Sequence, residues 1–153
     1  MPEKRDIILS GIRPTSARLH YGNYFGAVKS FIELQDAGHQ CYYFIADYHA
    51  LTTINEPTDF FNNTVEVLRT YVACGLDPTK SVIYRQSDLP CTAELALLLG
   101  MVTNIGHLER GTTYKDASAK LGERRDGTEG NALAYGLLGY PVLQAADILI
   151  VKA

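Results

Sequence analysis

Short apolar runs alternate with helix-spaced apolar stripes along the first half of the chain. The run Asp6–Ser10 precedes a turn that contains glycine and proline at Gly11–Pro14, and Cys41–Asp47 is aromatic and β-branched. Both runs are therefore predicted to be buried strands. Ser81–Gln86 follows a further turn and predicts a third strand. Short strands that alternate with helices predict right-handed βαβ units and a parallel sheet.

Helical spacing fills the intervals between these strands. From Gly22 to Ala37 two apolar stripes predict a helix that is buried over much of its surface, and Gly38 supplies its stop. Pro57 opens a second predicted helix, which Gly75 closes. The apolar face of this second helix is predicted to consist of Phe61, Val65, Leu68 and Val72.

The second half of the chain has a mostly helical pattern. Helices are predicted for Thr92–Asn104 and for about Ile105–Lys120, and the polar segment Gly122–Gly130 is predicted to be an exposed, mobile loop. The stretch Asn131–Val151 resumes a helical pattern, in which Pro141 is expected to force a kink or a restart.

Composition narrows the class of protein. A chain of 153 residues fits one domain, and 46% hydrophobic with 20% charged residues is typical of a soluble globular protein. A net charge of −3 disfavours a broad basic face for nucleic acid. No apolar run reaches ~18 residues, so no membrane span is expected. Three cysteines without CxxC spacing are expected to be buried free thiols, which favours the cytoplasm and no bound metal; they are Cys41, Cys74 and Cys91.

The end of the chain predicts a continuation. The final apolar run, ILIVKA, has no helix-stop signal. A parallel sheet of only three strands would also leave one edge of the first strand open. We therefore expect residues 1–153 to be the amino-terminal part of a longer chain.

The stretch Ser10–Val28 forms the first corner between a strand and a helix. Such a corner lies at the carboxyl edge of a parallel sheet, where ligands of these folds bind, and a helix start attracts phosphate. Gly22 permits close approach, His20 and Asn23 add donors, and Arg13 could reach a phosphate. On these residues alone, a corner that merely connects two elements is equally possible.

The corner sequence SGIRPT…LHYGN resembles the HIGH-type signature of class I aminoacyl-tRNA synthetases, in the form whose last histidine is asparagine. Two later segments, Ile105–Lys120 and Tyr140–Ile150, are similar in the same order to the tryptophanyl-tRNA synthetase family, and Ile45–Leu51 and Gly75–Pro90 also fit. The resemblance covers nearly the whole chain. It implies a Rossmann-like, doubly wound parallel sheet of which this chain holds the first half. The GxDQ segment, the KMSKS loop and the anticodon-binding helical region would then lie outside these residues.

The resemblance also implies an activity. The carboxylate of tryptophan attacks the α-phosphate of ATP, whose phosphates carry Mg²⁺, pyrophosphate leaves, and the tryptophanyl group passes to tRNA(Trp). Such a step relies on positioned donors rather than on covalent chemistry. A homodimer is implied as well. Without the lysines of the KMSKS loop, this stretch of chain is expected to be at best a very weak adenylating enzyme.

Roles at the corner follow from the same resemblance. His20 and Asn23 are predicted to be catalytic, with His20 donating to phosphate oxygens as their charge increases. The sequence has one extra residue between Pro14 and His20, and it has Ala117 where many relatives carry a lysine that Lys120 could replace. The residues predicted to bind ATP are Arg13, Pro14, Thr15, His20, Gly22, Asn23 and Lys115.

Asp147 is the predicted determinant of specificity. It lies in an apolar stretch, where an ionised carboxylate is costly unless something donates to it. In the family, the matching aspartate accepts the indole N–H of tryptophan, and such a pocket rejects analogues without the donor. Tyr140 and Gln144 share its helix face by spacing, and His49 follows the second strand. The residues predicted to bind tryptophan are Gly11, His49, Tyr140, Gln144 and Asp147.

Three other functions remain open on the sequence alone. Tyrosyl-tRNA synthetase shares the fold and a YPxLQ-x-x-D-like helix, although Ala145, Ala146 and Asn23 favour tryptophan. An HxGH-type nucleotidyltransferase that makes a small adenylylated metabolite would not be expected to carry the helix YPVLQAAD. A non-catalytic binding or assembly module is favoured by the missing second signature loop.

Overall fold

Three parallel strands form the sheet. The computed structural model describes residues 5–16, 20–53, 57–123 and 134–153. Its strands are β1 (Ile7–Ile12), β2 (Gln40–Ile45) and β3 (Val82–Arg85), in the order β1-β2-β3. Ile12 pairs with Ile45, and Ile45 pairs with Arg85. The carboxyl ends of the strands therefore lie level at one edge, which confirms the predicted parallel sheet.

Helices connect the strands and cover the sheet. None of the helices in the described parts of the chain is long and apolar enough to cross a membrane. In chain order they are α1 (Tyr21–Asn23), a π-helical segment (Tyr24–Val28), α2 (Lys29–Asp36), α3 (Asp47–Ala50), α4 (Pro57–Cys74), a 3₁₀ turn (Gln86–Asp88), α5 (Pro90–Val102), α6 (Ile105–Leu108), α7 (Thr112–Glu123) and α8 (Tyr135–Val151).

The apolar core lies between the sheet and the helices α2 and α4. Alternate residues of β2, Cys41, Tyr43 and Ile45, face it. Phe31 stacks on Tyr43 with ring centroids 4.4 Å apart, and the Tyr43 hydroxyl donates to the Phe31 carbonyl at 2.8 Å. Tyr71 of α4 meets Phe31 edge-on at 6.1 Å. Burial of these rings holds both helices against one face of the sheet.

The opposite face of the sheet carries α8. Phe44 alternates with the core residues of β2 and stacks on Tyr84 of β3 at 5.8 Å between centroids. α8 packs against β1 and along α5, and it borders the same cavity as Phe44. Helices on both faces agree with the predicted doubly wound arrangement.

Two glycines end the helices that precede β2 and β3, as predicted. Gly38 has φ +82° and Gly75 has φ +113°. This left-handed region costs glycine little and other residues more. The predicted start of α4 at Pro57 is also confirmed.

Several predicted boundaries are wrong. β1 continues through Gly11 and Ile12, for which the sequence pattern predicts a turn, because both remain in register with β2. Asp47 does not end β2 but begins α3. The single helix predicted near Ile105–Lys120 is two helices, α6 and α7. α8 runs through Pro141 without restarting, because its packing along α5 supports the helix where one hydrogen bond is missing.

The buried face of α4 also differs from the prediction. Val67 is 1% exposed and Tyr71 is fully buried, whereas Phe61 is 62% exposed. α4 carries two apolar stripes, and the contact between Tyr71 and Phe31 turns the second one inward. Leu68 and Val72 of the predicted face are exposed with Phe61.

The prediction of buried free thiols holds in part. All three cysteines are free, but only Cys41 is buried, while Cys74 is half-buried and Cys91 is exposed. In the predicted loop, residues 122 and 123 belong to α7 and residues 124–130 lie outside the described ranges, as do Ala17 and Arg18 of the corner, Asn131 and the side chain of Lys120.

Candidate functional site

A cavity of about 460 Å³ opens at the carboxyl edge of the sheet. The cavity is lined by the end of β1 and the loop that follows it, by β2, and by the helices α1, α3 and α8. This is the place where open parallel sheets bind ligands. Six lining residues are not among the predicted site residues, and all but Ser10 are apolar: Leu9, Ser10, Ile12, Phe44, Ala46 and Ile148.

Most of the predicted site residues meet in this one cavity. Residues assigned to ATP and residues assigned to tryptophan share its lining, and they come from positions as far apart in the sequence as Gly11 and Asp147. Those that line it are Gly11, Arg13, Thr15, Asn23, His49, Tyr140, Gln144 and Asp147.

Four predicted residues do not line the cavity. Pro14 is fully buried behind the corner. His20 and Gly22 form the start of the helix beside it. Lys115 lies exposed on α7. Their predicted contacts with ATP remain predictions.

Asp147 is buried in a hydrogen-bonded network. Its side chain is 4% exposed and that of His49 is 6% exposed. His49 Nε2 lies 2.9 Å from Asp147 Oδ2, and Gln86 Nε2 donates to Oδ1 at 2.8 Å and to Oδ2 at 3.0 Å. A carboxylate in this setting requires such donors.

Gln86 is a member of this network that the sequence pattern does not predict. It follows β3 directly, at the same edge as His49 and the corner. Its position was the available signal, since a polar residue that directly follows a parallel strand lies at the edge of the sheet where ligands bind. Its partner Asp147 is 61 residues away, and no local pattern links the two.

Aromatic rings border the network. His49 and Tyr140 meet edge-on with centroids 4.7 Å apart. Burial and the nearby charge of Asp147 raise the pKa of Tyr84 to about 12, so its hydroxyl stays protonated at neutral pH. The Asp147 carboxylate therefore has aromatic groups close to it as well as donors.

A second buried carboxylate positions α3. Asp47 is 1% exposed, and its Oδ1 accepts from the backbone N–H groups of Tyr48 and Ser87, each at 3.0 Å. The Ser87 hydroxyl donates to Oδ2. These bonds tie the end of β2 to the end of β3, and so they bring His49 beside Gln86.

The start of the first helix is closed by a reciprocal cap. His20 Nδ1 accepts from the N–H of Gly22 at 3.0 Å, and Asn23 Oδ1 accepts from the N–H of His20 at 3.0 Å. A Cβ at Gly22 would lie 2.8 Å from the His20 ring. The cap fixes His20 at the helix start next to the cavity that Asn23 lines.

Gly11 shapes the wall that β1 gives to the cavity. A Cβ at this position would lie 2.6 Å from the carbonyl oxygen of Phe44 and 2.9 Å from its ring. No side chain fits there without displacing β2. The steric need for glycine here comes from β2, and the predicted contact of Gly11 with tryptophan remains a prediction.

Among the described residues, no group of three or more His, Cys, Asp or Glu side chains is arranged to hold a metal ion. The described residues that line the cavity include the guanidinium of Arg13 and the polar side chains of Asn23 and Gln144.

Comparison with known proteins gives consistent results. The family model described as tRNA synthetases class I (W and Y) matches residues 1–153. Tryptophan--tRNA ligase of Fusobacterium nucleatum is 51% identical over 142 residues, which are 93% of this chain and 40% of that protein. The chain thus spans about two fifths of the length of the curated relatives it matches.

Solved structures show the same similarity. Tryptophanyl-tRNA synthetase of Campylobacter jejuni, complexed with ADP and tryptophane, superposes with a TM-score of 0.80 at 39% identity, over 93% of this chain and 41% of that one. Tyrosyl-tRNA synthetase of Archaeoglobus fulgidus, complexed with L-tyrosine, has a TM-score of 0.74 at 19% identity, over 99% and 45%. The second likeness concerns the fold alone.

Proposed function

Because this chain belongs to the class I tRNA synthetases for tryptophan and tyrosine, we propose that it carries the tryptophan and ATP site of a tryptophan–tRNA ligase. The observation that carries the proposal is the buried carboxylate of Asp147 at the cavity, held by His49 and Gln86. A buried acceptor selects a ligand that brings a matching donor.

One wall of the cavity binds the amino acid and the other binds ATP. On the α8 side, Asp147 accepts the indole N–H, with the ring of Tyr140 nearby. On the β1 side, Arg13, Thr15 and Asn23 supply donors for the phosphates of ATP. Tryptophan and ATP therefore bind in one cavity, with the amino acid close to the nucleotide.

The reaction requires this juxtaposition. A carboxylate oxygen of tryptophan forms a bond to the α-phosphorus of ATP as the bond to pyrophosphate breaks. Negative charge increases on the phosphate oxygens, and positioned donors such as Arg13 and His20 stabilise it. Mg²⁺ carried by the ATP phosphates and transfer of the product to tRNA(Trp) are parts of the same proposal.

The choice of tryptophan over tyrosine rests on the relatives and on Ala145 and Ala146 of α8, the pair that precedes Asp147. The curated relatives at 40–51% identity are tryptophan–tRNA ligases. The fold does not decide, since a tyrosyl-tRNA synthetase shares it. A phenol hydroxyl could also donate to Asp147, so the amino acid must be tested directly.

Amino-acid-dependent exchange of pyrophosphate with ATP tests the proposal. The full-length gene product is assayed with tryptophan and, separately, with tyrosine. Exchange with tryptophan is expected. Exchange with tyrosine alone would replace the assignment, and binding of tryptophan and ATP without exchange in the full-length product would favour a non-catalytic module.

Association with a second copy through α5 and α6 is a further part of the proposal. Met101 is 74% exposed, Val102 82% and Ile105 60%, and these apolar side chains follow one another at the helix junction. A cluster of this kind marks an association surface. A cytoplasmic location belongs to the same proposal, and free thiols, which are typical of a reducing compartment, support it.

A further inference from the structure

The side-chain amide of Gln86 donates to both oxygens of the Asp147 carboxylate. Gln86 is 1% exposed and begins the 3₁₀ turn after β3. Its Nε2 lies 2.8 Å from Oδ1 and 3.0 Å from Oδ2 of Asp147. Because one nitrogen contacts both oxygens, rotation of the carboxylate about its own axis would lengthen at least one of these bonds.

The amide of Gln86 is itself oriented. Its Oε1 accepts from the backbone N–H of His49 at 3.4 Å. The reversed amide would place Oε1 against the Asp147 carboxylate, so that two acceptors would face each other. β3, α3 and α8 therefore fix the direction of the carboxylate together.

The contacts leave the two oxygens of Asp147 unequal. A carboxylate offers about four acceptor directions. Within the described parts of the chain, Oδ2 accepts from His49 and Gln86, whereas Oδ1 accepts from Gln86 alone. Asp147 also borders the cavity. Oδ1 is thus the oxygen with the greater remaining capacity for a ligand donor.

From this geometry we infer that Gln86 is a positioning residue for specificity: it holds Asp147 so that Oδ1 accepts the N–H of the bound amino acid. The inference rests on the proposed binding of tryptophan. Gln86 does not line the cavity, so it acts through Asp147 rather than on the ligand.

Gln35 provides a matched control in the same chain. It is a buried glutamine, 4% exposed, whose Oε1 accepts from the Asp77 N–H at 2.8 Å and from the Ser81 hydroxyl at 3.0 Å. These partners lie before β3, at the amino edge of the sheet. Replacement of Gln35 therefore measures the effect of losing a buried, hydrogen-bonded glutamine that lies far from the ligand edge.

The experiment compares tryptophan with benzothienylalanine, in which sulfur replaces the indole N–H. Discrimination is the ratio of kcat/KM for the two amino acids in pyrophosphate exchange by the full-length gene product. The variants are Gln86→Met, Gln86→Glu and Gln35→Met, each checked for folding by circular dichroism.

Gln86→Met is expected to lower the discrimination about tenfold, through the KM for tryptophan and with little change in kcat, because the carboxylate loses its fixed direction. Gln86→Glu keeps the shape but places a second carboxylate against Asp147, and the loss should be at least as large. Gln35→Met should lower the melting temperature and keep the wild-type ratio.

Three results would contradict the inference or its premise. Full discrimination in folded Gln86→Met, or in Gln86→Glu where the first variant does not fold, would overturn the positioning role. An equal loss in Gln35→Met would show a general effect of stability and would also overturn it. A wild-type product that does not use tryptophan would contradict the proposed function itself.

Discussion

His49 Nε2 lies 2.9 Å from Asp147 Oδ2, although 98 residues separate the two in the sequence. His49 belongs to α3, which follows β2, and Asp147 belongs to α8, which packs against β1 and α5. Both side chains are buried. The wall that we assign to amino-acid recognition is therefore formed by tertiary packing between two distant elements, which local sequence does not specify.

Replacement of Gly11 tests the shape of the β1 wall. Gly11→Ala should destabilise the fold by on the order of 2 kcal/mol, because the new Cβ overlaps the Phe44 carbonyl. Gly26→Ala is the control, since nothing lies within 4 Å of its added Cβ. Denaturant unfolding of both variants measures the difference. Equal stability of the two variants would show that β2 can shift at little energetic cost and would contradict the prediction.

Two substitutions of His20 distinguish a role as helix cap from a role in adenylate formation. His20→Ala in the full-length gene product should slow adenylate formation about 100-fold while changing the affinity for tryptophan little, since His20 stands outside the amino-acid wall. His20→Asn retains a side chain that can cap the helix. Rapid quench measurement of the adenylate distinguishes the roles: full activity in His20→Asn would reduce His20 to a cap.

Alkaline pH should lower the stability of the chain. Burial raises the pKa of Tyr43 and Tyr71 well above the usual value near 10, and it raises the pKa of Tyr84, together with the charge of Asp147, to about 12. The unfolded chain loses these protons near pH 10, so the contribution of these tyrosines to the free energy of unfolding is constant below that pH and falls above it.

Tyr71→Phe isolates one of these groups. Each buried phenol that ionises only on unfolding lowers the free energy of unfolding by about 1.4 kcal/mol for every pH unit above 10. The variant should therefore lose stability less steeply than the wild type between pH 10 and pH 11. Urea unfolding at pH 8, 10 and 11 gives the slopes, and identical slopes would contradict the assignment.

The proposed dimer face can be disrupted selectively. Met101→Lys should convert the dimer to a monomer in sedimentation analysis, because it places a charge within the apolar surface of α5. Phe61→Lys is the matched control, since Phe61 is also exposed but lies on α4. Dissociation by Phe61→Lys alone would move the interface to α4.

The elements with strong local signals could be predicted from the sequence. The aromatic run of β2, Pro57 at the start of α4 and Gly38 at the end of α2 each carry their own physical cue. Asp147 could be singled out for a similar reason, because a carboxylate in an apolar helix requires a partner.

The features that depend on tertiary packing could not be predicted. α4 carries two apolar stripes, and only the contact between Tyr71 and Phe31 selects the buried one. Pro141 continues a helix because α5 supports it. Gln86 has no periodic signal, and although its place after β3 points to the ligand edge, its contact with Asp147 depends on the packing of α8.

Calorimetric titration of the full-length gene product with tryptophan, in the wild type and in Asp147→Ala, tests the central claim most directly. The loss of the indole acceptor should weaken binding by at least about tenfold, since the N–H would enter the cavity without a partner. Equal affinity of the two folded proteins for tryptophan would contradict the assignment of Asp147 as the residue that selects the amino acid.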